Sequence, residues 1–339
     1  MRAYASGVSW DIQFTRTGIH LPLLGLWLDA RKRQRGSERV FVSHAHADHI
    51  AAHDEVMLTP ATSLFMRTRL PGKRREHLLN FGARTEFQFG GEAFALTALP
   101  AGHIFGSAMA VIESRGKTLL YTGDFKMRAS LAAEKPEVRQ ADVLIMETTF
   151  GLPRYQFPPE ETVRKDIVKF CREALAAGTT PVLYGYSLGK SQEILRGLAD
   201  TGLPIMLQRD VRKMTKLYEK LGVNFPTHEA FDPETARGKV IIAPPNSLKT
   251  MQKIALGPLR TAAITGWAMD SSCRYRSGTD AAFALSDHAD YDGLLELVKL
   301  VQPKRVFTVH GFTREFAQTL RTHGVDAVAP GWHEQMALL

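Results

Sequence analysis

The segment FVSHAHADHI (41–50) concentrates side chains that bind metal ions. His44 and His46 alternate along an extended segment, so their imidazoles point to the same side. A turn after them brings Asp48 and His49 toward the same point. Imidazole and carboxylate groups together suit divalent ions such as zinc, iron or manganese. The spacing H-x-H-x-D-H therefore predicts a site for one or two such ions rather than a polar strand end.

Four further polar side chains stand where a β-rich run gives way to a turn. They are His103 in AGHIFGS, Asp124 in YTGDF, His288 in SDHAD and His310 in TVHGF. Loops held by a rigid sheet are where proteins fix functional side chains, and the glycines nearby allow the backbone to approach closely. Because one context recurs four times, we expect these residues to be companions of the 44–49 cluster.

The elements that must position these side chains differ along the chain. Up to about residue 150 the sequence has short β-rich runs, several of them bounded by Gly or Pro: RVFVS (39–43), AFALTAL (93–99), AMAVIES (108–114), KTLLYTG (117–123) and DVLIME (142–147). From about 160, segments with helical spacing alternate with strands, a pattern typical of a parallel α/β sheet. Near 284 the signals of the first part return. The sequence thus predicts an inserted α/β domain within a split β-rich domain.

Charge favours a polyanionic partner. The 339 residues include 43 Lys and Arg against 35 Asp and Glu, a formal net charge of +8. Basic clusters occur at 31–35 and 73–75, and Arg209, Arg212, Lys213 and Lys216 follow at roughly helical spacing. Each cluster alone is typical of a solvated face, but together they make nucleic acid the leading substrate class.

The sequence lacks membrane-spanning or signal-like segments and paired cysteines, which limits the location and the type of metal site expected. The sequence has no run of about 18 apolar residues and no signal-like start, which predicts a cytoplasmic protein without a membrane partner. Cys171 and Cys273 are the only cysteines and form no C-x-x-C pair, so the expected metal site rests on His and carboxylate groups.

Several of these segments carry a family resemblance. HAHADH, AGHIFGSA and TGDF resemble the motifs of the metallo-β-lactamase fold, an αββα sandwich with metal ligands on loops at one edge. METTFGLPRY, GYSLGKSQEIL, ITGWA, LSDHAD and VHG are similar to the β-CASP nucleases, in which a second domain is inserted in the sandwich. The run TTFGLPRYQFPPEE with LSDHAD most resembles bacterial putative exonucleases associated with DNA ligase.

The resemblance implies a fold and a domain division. The fold class is α/β (α+β), an αββα metallo-β-lactamase sandwich with an inserted β-CASP α/β domain. Residues 1–154 and 281–339 would form the catalytic domain and residues 155–280 the insertion.

The resemblance also implies seven ligands for two divalent ions, with zinc expected and manganese as the alternative. They are His44, His46 and His103 for the first ion, Asp48, His49 and His310 for the second, and Asp124 as the bridge. Asp29 in LWLDA resembles an acidic residue that holds the ligand loop without touching metal.

Catalytic roles follow from the same resemblance. Glu147 resembles an acidic residue that hydrogen-bonds His288, and a carboxylate-oriented His is a good proton donor. We therefore expect His288 to protonate the leaving oxygen, Glu147 to orient it and Asp48 to accept a hydrogen bond from the nucleophile. Two divalent ions would activate water and neutralise the phosphoryl oxygens, which predicts phosphodiester hydrolysis.

The segment VLYGYSLGKSQEIL (182–195) supports competing hypotheses. Ser187 lies in a G-x-S-x-G pattern between strand and helix, as in a metal-independent serine hydrolase, although no HGGG-type segment precedes it. The G-x-x-x-G-K-S run is one residue short of a phosphate-binding loop of ATPases. The preferred hypothesis is an anion pocket for a substrate phosphate, made by Ser187, Gly189 and Lys190 at a helix N-terminus. Its alternative is a tight turn with an ordinary surface lysine.

Among the readings of the whole chain, a two-metal nuclease leads. A DNA exonuclease acting in repair with an ATP-dependent DNA ligase and a helicase is favoured by the closest resemblance. An RNA-processing β-CASP ribonuclease is the alternative, because His310 is the motif form more often associated with that branch. A lactonase or thioesterase on the same core is disfavoured, because the long insertion and the excess of basic residues suit a polymeric substrate. An inactive binding module is disfavoured, because all seven expected ligands are present.

Overall fold

A computed structural model describes residues 10–253 and 256–331 of the chain. These residues divide into two compact units. The first comprises the described residues up to Ala129, Ala133–Pro153 and those from His288 onward, and the second comprises Ser130–Ala132 and Arg154–Asp287. Residues 1–9 and 332–339 of the expected catalytic domain lie outside the described residues.

The first part of the chain, from residue 10 to 150, is rich in strands, as predicted. Its elements are β1 (Gln13–Thr15), β2 (Gly18–Leu21), a 3-10 helix (Pro22–Leu24), β3 (Leu26–Leu28), β4 (Arg39–Phe41), β5 (Glu55–Leu58), α1 (Pro60–Arg69), β6 (Arg75–Leu78), β7 (Arg84–Phe89), β8 (Glu92–Pro100), β9 (Ala108–Ser114), β10 (Lys117–Tyr121) and β11 (Val143–Thr148).

The middle part alternates helix and strand. Its elements are α2 (Glu160–Ala176), β12 (Thr180–Tyr184), α3 (Lys190–Gly197), β13 (Ile205–Leu207), α4 (Arg209–Lys220), β14 (Glu229–Ala230), β15 (Val240–Ala243), a 3-10 helix (Pro245–Ser247), α5 (Leu248–Lys253), β16 (Leu259–Ile264), a 3-10 helix (Gly266–Met269), α6 (Cys273–Ser277) and β17 (Ala281–Phe283). The strands form one sheet in the order β14-β13-β15-β12-β16-β17, and every pair is parallel.

The second unit extends beyond the boundary expected from the sequence. The insertion was expected to end at residue 280, but β17 pairs with β16 and the unit runs to Asp287. The physical reason is that Ala281–Phe283 completes the edge of the parallel sheet. The division into a catalytic domain (1–154 and 281–339) and an inserted β-CASP domain (155–280) stays a prediction.

The last part returns to the first unit. Its elements are α7 (Tyr291–Val301), β18 (Arg305–Gly311), α8 (Thr313–Thr322) and β19 (Ala327–Val328). The strands of this unit form two sheets, in the orders β1-β2-β3-β4-β5-β6 and β19-β18-β11-β10-β9-β8-β7. The second sheet therefore combines strands from both ends of the chain.

Side-chain alternation along this second sheet produces two cores. Tyr121 and Ile145 pack with Leu28 and Phe41 of the first sheet, and Leu120 and Leu144 pack with side chains of α7 and α8. Apolar residues buried on both faces make a central layer, as in layered α/β folds. The predicted fold class, an αββα sandwich with an inserted α/β domain, is confirmed.

Two capped helices fix the loops beside the sheets. Thr59 caps α1, and its hydroxyl donates to the carbonyl of Gly106 at 2.7 Å, which ties the helix to the loop after His103. Asp290 caps α7 and pairs with Arg128. Within residues 10–253 and 256–331, every helix is too short or too polar to span a bilayer.

Candidate metal centre

The predicted metal ligands and Glu147 lie at strand ends of the first unit. The 44–49 segment follows β4, His103 follows β8, and Asp124 follows β10. Glu147 and His310 lie near the ends of β11 and β18, which are parallel neighbours with Glu147 opposite Val309. Since β10, β11 and β18 are parallel, their carboxyl ends meet at one edge of the sheet.

Four of the predicted ligands form one compact group. One ligand atom from each of His44, His46, His103 and Asp124 lies within 4.8 Å of the others. His103 Nε2 is 3.2 Å from His46 Nδ1, and Asp124 Oδ2 is 3.6 Å from His44 Nε2. Nitrogens bound at about 2.0–2.1 Å to one tetrahedral ion lie roughly 3.3 Å apart, so the spacing fits shared ligation.

His44 presents a lone pair to this group. The Ser43 hydroxyl donates to Asp29 Oδ2 at 2.6 Å, so it accepts from the Nδ1–H of His44 at 3.0 Å. The Nε2 of His44 is then the unprotonated nitrogen. It is buried and has no hydrogen-bond partner among the described residues. A buried polar atom without a partner is costly, and a metal ion would satisfy it.

Electrostatics keeps the same ring neutral. Burial lowers the pKa of His44 well below its ordinary value, and the neighbouring imidazoles of His49, His103 and His46 lower it further. Metal ions bind the neutral imidazole, so the ring is in its binding form at neutral pH. The donor set therefore fits a divalent ion.

The second predicted set is gathered less tightly. His49 Nε2 lies 3.3 Å from Asp124 Oδ2 and 3.7 Å from Asp48 Oδ2, so Asp124 contacts ligands of both sets. The rings of His49 and His310 are 6.1 Å apart. In the described part of the chain, Asp48, His49 and His310 do not form a group as compact as the first.

His310 makes a contact that bears on its predicted role. Arg31 Nη2 lies 3.1 Å from His310 Nδ1, and a guanidinium can only donate. The neutral ring then carries its hydrogen on Nε2, so ligation through Nε2 would require Arg31 to release the ring. Burial and the Arg31 charge also lower the pKa of His310. His310 stays a predicted ligand.

Neighbouring acidic and imidazole groups of the centre shift one another's pKa values. Burial lowers the pKa of His49, but the carboxylates of Asp124 and Asp29 outweigh it and raise the pKa well above its ordinary value. Burial raises the pKa of Asp124, but the His49 imidazole, together with His288 and His44, holds it well below its usual range. Asp48 follows the same balance, with His49 lowering its pKa against burial. The carboxylates of Asp124 and Asp48 are therefore anionic at neutral pH.

Asp29 organises this centre through hydrogen bonds. Its carboxylate accepts from the Ser43 amide at 2.7 Å, the Ser43 hydroxyl, the His49 Nδ1–H at 2.9 Å and the Tyr121 hydroxyl at 2.8 Å. The bond to Nδ1 leaves the Nε2 of His49 directed toward Asp124. Asp29 thus orients two imidazoles through their distal nitrogens, which is how outer carboxylates tune metal sites.

Glu147 and His288 form a hydrogen-bonded couple beside the group. Both Glu147 carboxylate oxygens lie within 3.0 Å of His288 Nδ1, and Glu147 also accepts from the Phe125 amide and the Thr149 hydroxyl. The rings of His288 and His103 are 4.6 Å apart. Glu147 is buried and fixed, so it holds the His288 ring in one orientation with Nε2 as the remaining nitrogen.

The turn that carries His310 requires a glycine, which gives a testable prediction. Gly311 has φ +73°, and a Cβ there would overlap the Thr148 carbonyl and the Cα of Thr149. We expect Gly311→Ala to lower the free energy of unfolding by about 2–4 kcal/mol, from left-handed strain plus overpacking. Urea unfolding in chelator measures it.

The matched control is Gly116→Ala. Gly116 has φ +70° but no atom within 4 Å of a Cβ, so only the conformational cost of about 1 kcal/mol is expected. Equal losses for the two variants would contradict the steric argument.

The predicted phosphate pocket of the second unit has a different arrangement. The ammonium group of Lys190 is buried, donates to the Leu285 carbonyl at 2.7 Å and pairs with Asp287 at 3.0 Å. The Gly189 amide donates to Gln192 Oε1 at 2.7 Å. The side chain of Ser187 makes no hydrogen bond within the described ranges. This segment is therefore a tight turn with a buried ion pair rather than an open anion pocket.

Sequence reasoning missed several supporting residues. Ser43, Tyr121 and Glu134 were not singled out, although Ser43 precedes His44 and Tyr121 lies three residues before Asp124. Glu134 accepts from the Gly106 amide with both carboxylate oxygens, at 2.8 and 3.1 Å, and so fixes the loop after His103. No spacing pattern links residue 134 to residue 106, so the sequence gave no signal for this contact.

Two known families match parts of the chain. The family described as beta-lactamase superfamily domain matches residues 20–165. The family described as Zn-dependent metallo-hydrolase RNA specificity domain matches residues 281–330. The two matches cover the segments that supply the ligand group and the Glu147–His288 couple.

Individual proteins of known sequence are also similar to this chain. The chain is 50% identical to a probable DNA ligase of Opitutus terrae over 97% of its own length and 32% of that protein. It is 28% identical to RNase aCSPSF2 of Saccharolobus solfataricus over 50% of the chain and 39% of that protein. It is 25% identical to a probable RNase of Methanocaldococcus jannaschii over 90% of the chain and 89% of that protein. The chain thus spans well under half the length of the first two relatives.

A solved structure shares the fold. A protein of unknown function from Enterococcus faecalis V583 aligns with 87% of this chain and 80% of its own, with a TM-score of 0.58 and 13% identity. That likeness concerns the fold alone.

The fold and the matched families indicate a protein of the metallo-β-lactamase superfamily, and the group of His44, His46, His103 and Asp124 suits a divalent ion. Within that superfamily, the two family matches and the named relatives support a protein of the β-CASP type. The resemblance inferred from the sequence motifs is confirmed.

Proposed function

We propose that this chain hydrolyses phosphodiester bonds in nucleic acid with two divalent ions, zinc first and manganese as the alternative. The observation that carries the proposal is the compact group of His44, His46, His103 and Asp124 beside the Glu147–His288 couple. A metal site next to an oriented proton donor suits cleavage of a bond whose leaving oxygen is strongly basic. The second ion would be held by Asp48, His49 and His310 with Asp124 shared.

The side chains divide the chemical work. Bound divalent ions would polarise a phosphoryl oxygen and acidify a water molecule. His288 donates a proton from Nε2 to the leaving oxygen, because Glu147 holds Nδ1 at 2.9 Å. Asp48, anionic and only partly covered, accepts a hydrogen bond from the attacking water. Asp29 keeps His44 and His49 aimed inward through Ser43 and Nδ1.

DNA is the substrate we favour, as an exonuclease in repair. Support comes from the relative named probable DNA ligase, in which a segment 50% identical to nearly this whole chain lies within a polypeptide about three times as long. Joining such a segment to a ligase would couple the trimming of ends to their sealing. An ATP-dependent ligase is therefore the proposed partner, and the proposed helicase and the cytoplasmic location rest on the sequence alone.

RNA cleavage is the second candidate. It is favoured by the match of residues 281–330 to an RNA specificity domain and by the relatives named RNase. The serine-hydrolase hypothesis has no comparable support, since in the described residues Ser187 lacks any hydrogen-bonded base. A metal-free Ser187 reaction would also leave the imidazole cluster without a role.

One experiment tests the proposal. Purified chain is loaded with zinc or manganese and incubated with end-labelled single- and double-stranded DNA and RNA, with a chelator-treated sample as control. We expect DNA cleavage that disappears with chelator and returns with metal. Cleavage of RNA alone would establish the second candidate. A chain that contains metal yet cleaves none of the four substrates would contradict both.

A further inference from the structure

Helix α4 of the second unit carries a concentrated positive charge. Its 12 residues, RDVRKMTKLYEK, include five basic and two acidic side chains, a net charge of +3 out of +8 for the whole chain. The buried side chains Val211, Met214, Leu217 and Tyr218 anchor one face in the core. The opposite face is therefore free to present the charges to solvent.

Four of these charges lie in one line. Arg209, Lys213, Lys216 and Lys220 are exposed and follow one another at i, i+4, i+7 and i+11, which places them on one face of the helix. We call these four residues the α4 stripe. At 1.5 Å per residue the stripe is about 16 Å long. A nucleic-acid strand with one phosphate per about 3.4 Å of axis offers about five phosphates over that length.

Among the described residues, the lysines of the stripe lack the acidic partners that commonly neutralise basic side chains on a helix surface. Lys213, Lys216 and Lys220 form no ion pair with any residue that the structure describes, and Arg209 contacts only the adjacent Asp210, at 3.5 Å. In α2, by contrast, Lys165 and Lys169 each pair with a glutamate four residues away. Like charges at this spacing repel one another. An anion bound along the stripe would relieve that repulsion.

The stripe also begins where such sheets bind ligands. Strand β13 ends at Leu207, and Arg209 opens α4 directly after it, at the carboxyl edge of the parallel sheet. Open α/β sheets bind ligands outside the carboxyl ends of their strands. A positive charge in the first turn works against the helix dipole, so Arg209 has no stabilising role in the helix itself.

We propose that the α4 stripe binds the phosphate backbone of a nucleic-acid strand and so extends the grip of the enzyme on a polymeric substrate. This inference rests on the proposed function for the identity of the polymer. The contacts are with phosphates, so the stripe contributes affinity without sequence preference. It touches no reacting atom and changes the binding of the polymer, not the chemistry at the metal centre.

Binding measured in chelator tests the stripe without cleavage of the probe. The full chain, a Lys213→Gln/Lys216→Gln variant and a Lys165→Gln/Lys169→Gln control are titrated against a labelled single strand over a range of salt. The control removes the same charge from lysines that already have acidic partners. Each lost phosphate contact lowers the salt slope by about 0.7 for a single strand. We therefore expect a slope lower by about 1.4 and a Kd raised about 20-fold at 0.1 M salt for the stripe variant.

The control should change Kd less than about 2-fold, because paired surface lysines contribute little. Equal losses in both variants, or no loss in the stripe variant, would overturn the proposal and leave α4 as a solvated face. Metal-loaded variants are also assayed on bis-p-nitrophenyl phosphate, where equal rates are expected. Stripe-dependent binding by a metal-loaded chain that cleaves nothing would contradict the proposed function and leave the stripe standing.

Discussion

Replacement of Asp124 by Asn is expected to remove metal from the chain and to reduce nucleic-acid cleavage about 1000-fold or more. The Oδ2 atom of Asp124 lies 3.3, 3.6 and 3.9 Å from the Nε2 atoms of His49, His44 and His103. An amide has the same shape without the negative charge, so the imidazoles would lose the carboxylate that balances a divalent ion. Elemental analysis of the purified variant and cleavage of end-labelled DNA measure the two effects.

Asp326→Asn is the matched control for this variant. Asp326 is exposed and pairs with Arg305 at the opposite end of β18, at 2.6 Å. A surface pair contributes at most about 1 kcal/mol, so metal content and rate should stay at the level of the unmodified chain. If Asp124→Asn retained its metal and cleaved at the normal rate, the proposed centre would be wrong.

The ligand segment was predictable because its geometry is local. An H-x-H spacing after a strand places His44 and His46 together whatever the rest of the fold does. His103 and Asp124 were recognisable by the strand-to-turn context that they share, and the structure gathers both with His44 and His46. The parallel layers of the second unit followed from the alternation of helix and strand in the same way.

Contacts between distant segments were not predictable from residue patterns. Strand β18 lies beside β11, although more than 150 residues separate Glu147 from Val309. Nothing in the sequence near Arg31 indicates that its guanidinium donates to His310, or that Tyr121 donates to Asp29. Such contacts depend on the strand order of the sheets, which local propensity does not determine.

Lys190 shows how a motif can mislead. Glycines and a Lys-Ser pair before a helix predict a phosphate pocket, because free amides at a helix N-terminus attract anions. The pocket is filled by the chain itself, since Asp287 and the Leu285 carbonyl come from about 95 residues later and enclose the ammonium group. The same late segment includes β17, which is too short and too weakly patterned for its pairing with β16 to be predicted.

Replacement of His288 by Asn is expected to separate proton donation from the other steps. The Asn amide can still donate to Glu147, as Nδ1 of His288 does at 2.9 Å, but it places no donor where Nε2 stood. Loss of a general acid costs roughly 100- to 10,000-fold when the leaving oxygen is strongly basic, as in nucleic acid. The loss on bis-p-nitrophenyl phosphate should be under about 10-fold, because its leaving group departs without a proton.

Glu147→Gln is the companion variant for the same couple. The amide oxygen can accept from His288 Nδ1, but without charge it stabilises the protonated ring less well. We expect a loss of roughly 10- to 100-fold on nucleic acid with normal metal content, since Glu147 acts through His288. Equal losses of His288→Asn on the two substrates would mean that His288 shapes or binds the site. A larger loss on nucleic acid than on bis-p-nitrophenyl phosphate assigns the proton to Nε2. The leaving oxygen of nucleic acid needs an acid, and the nitrophenolate leaving group does not.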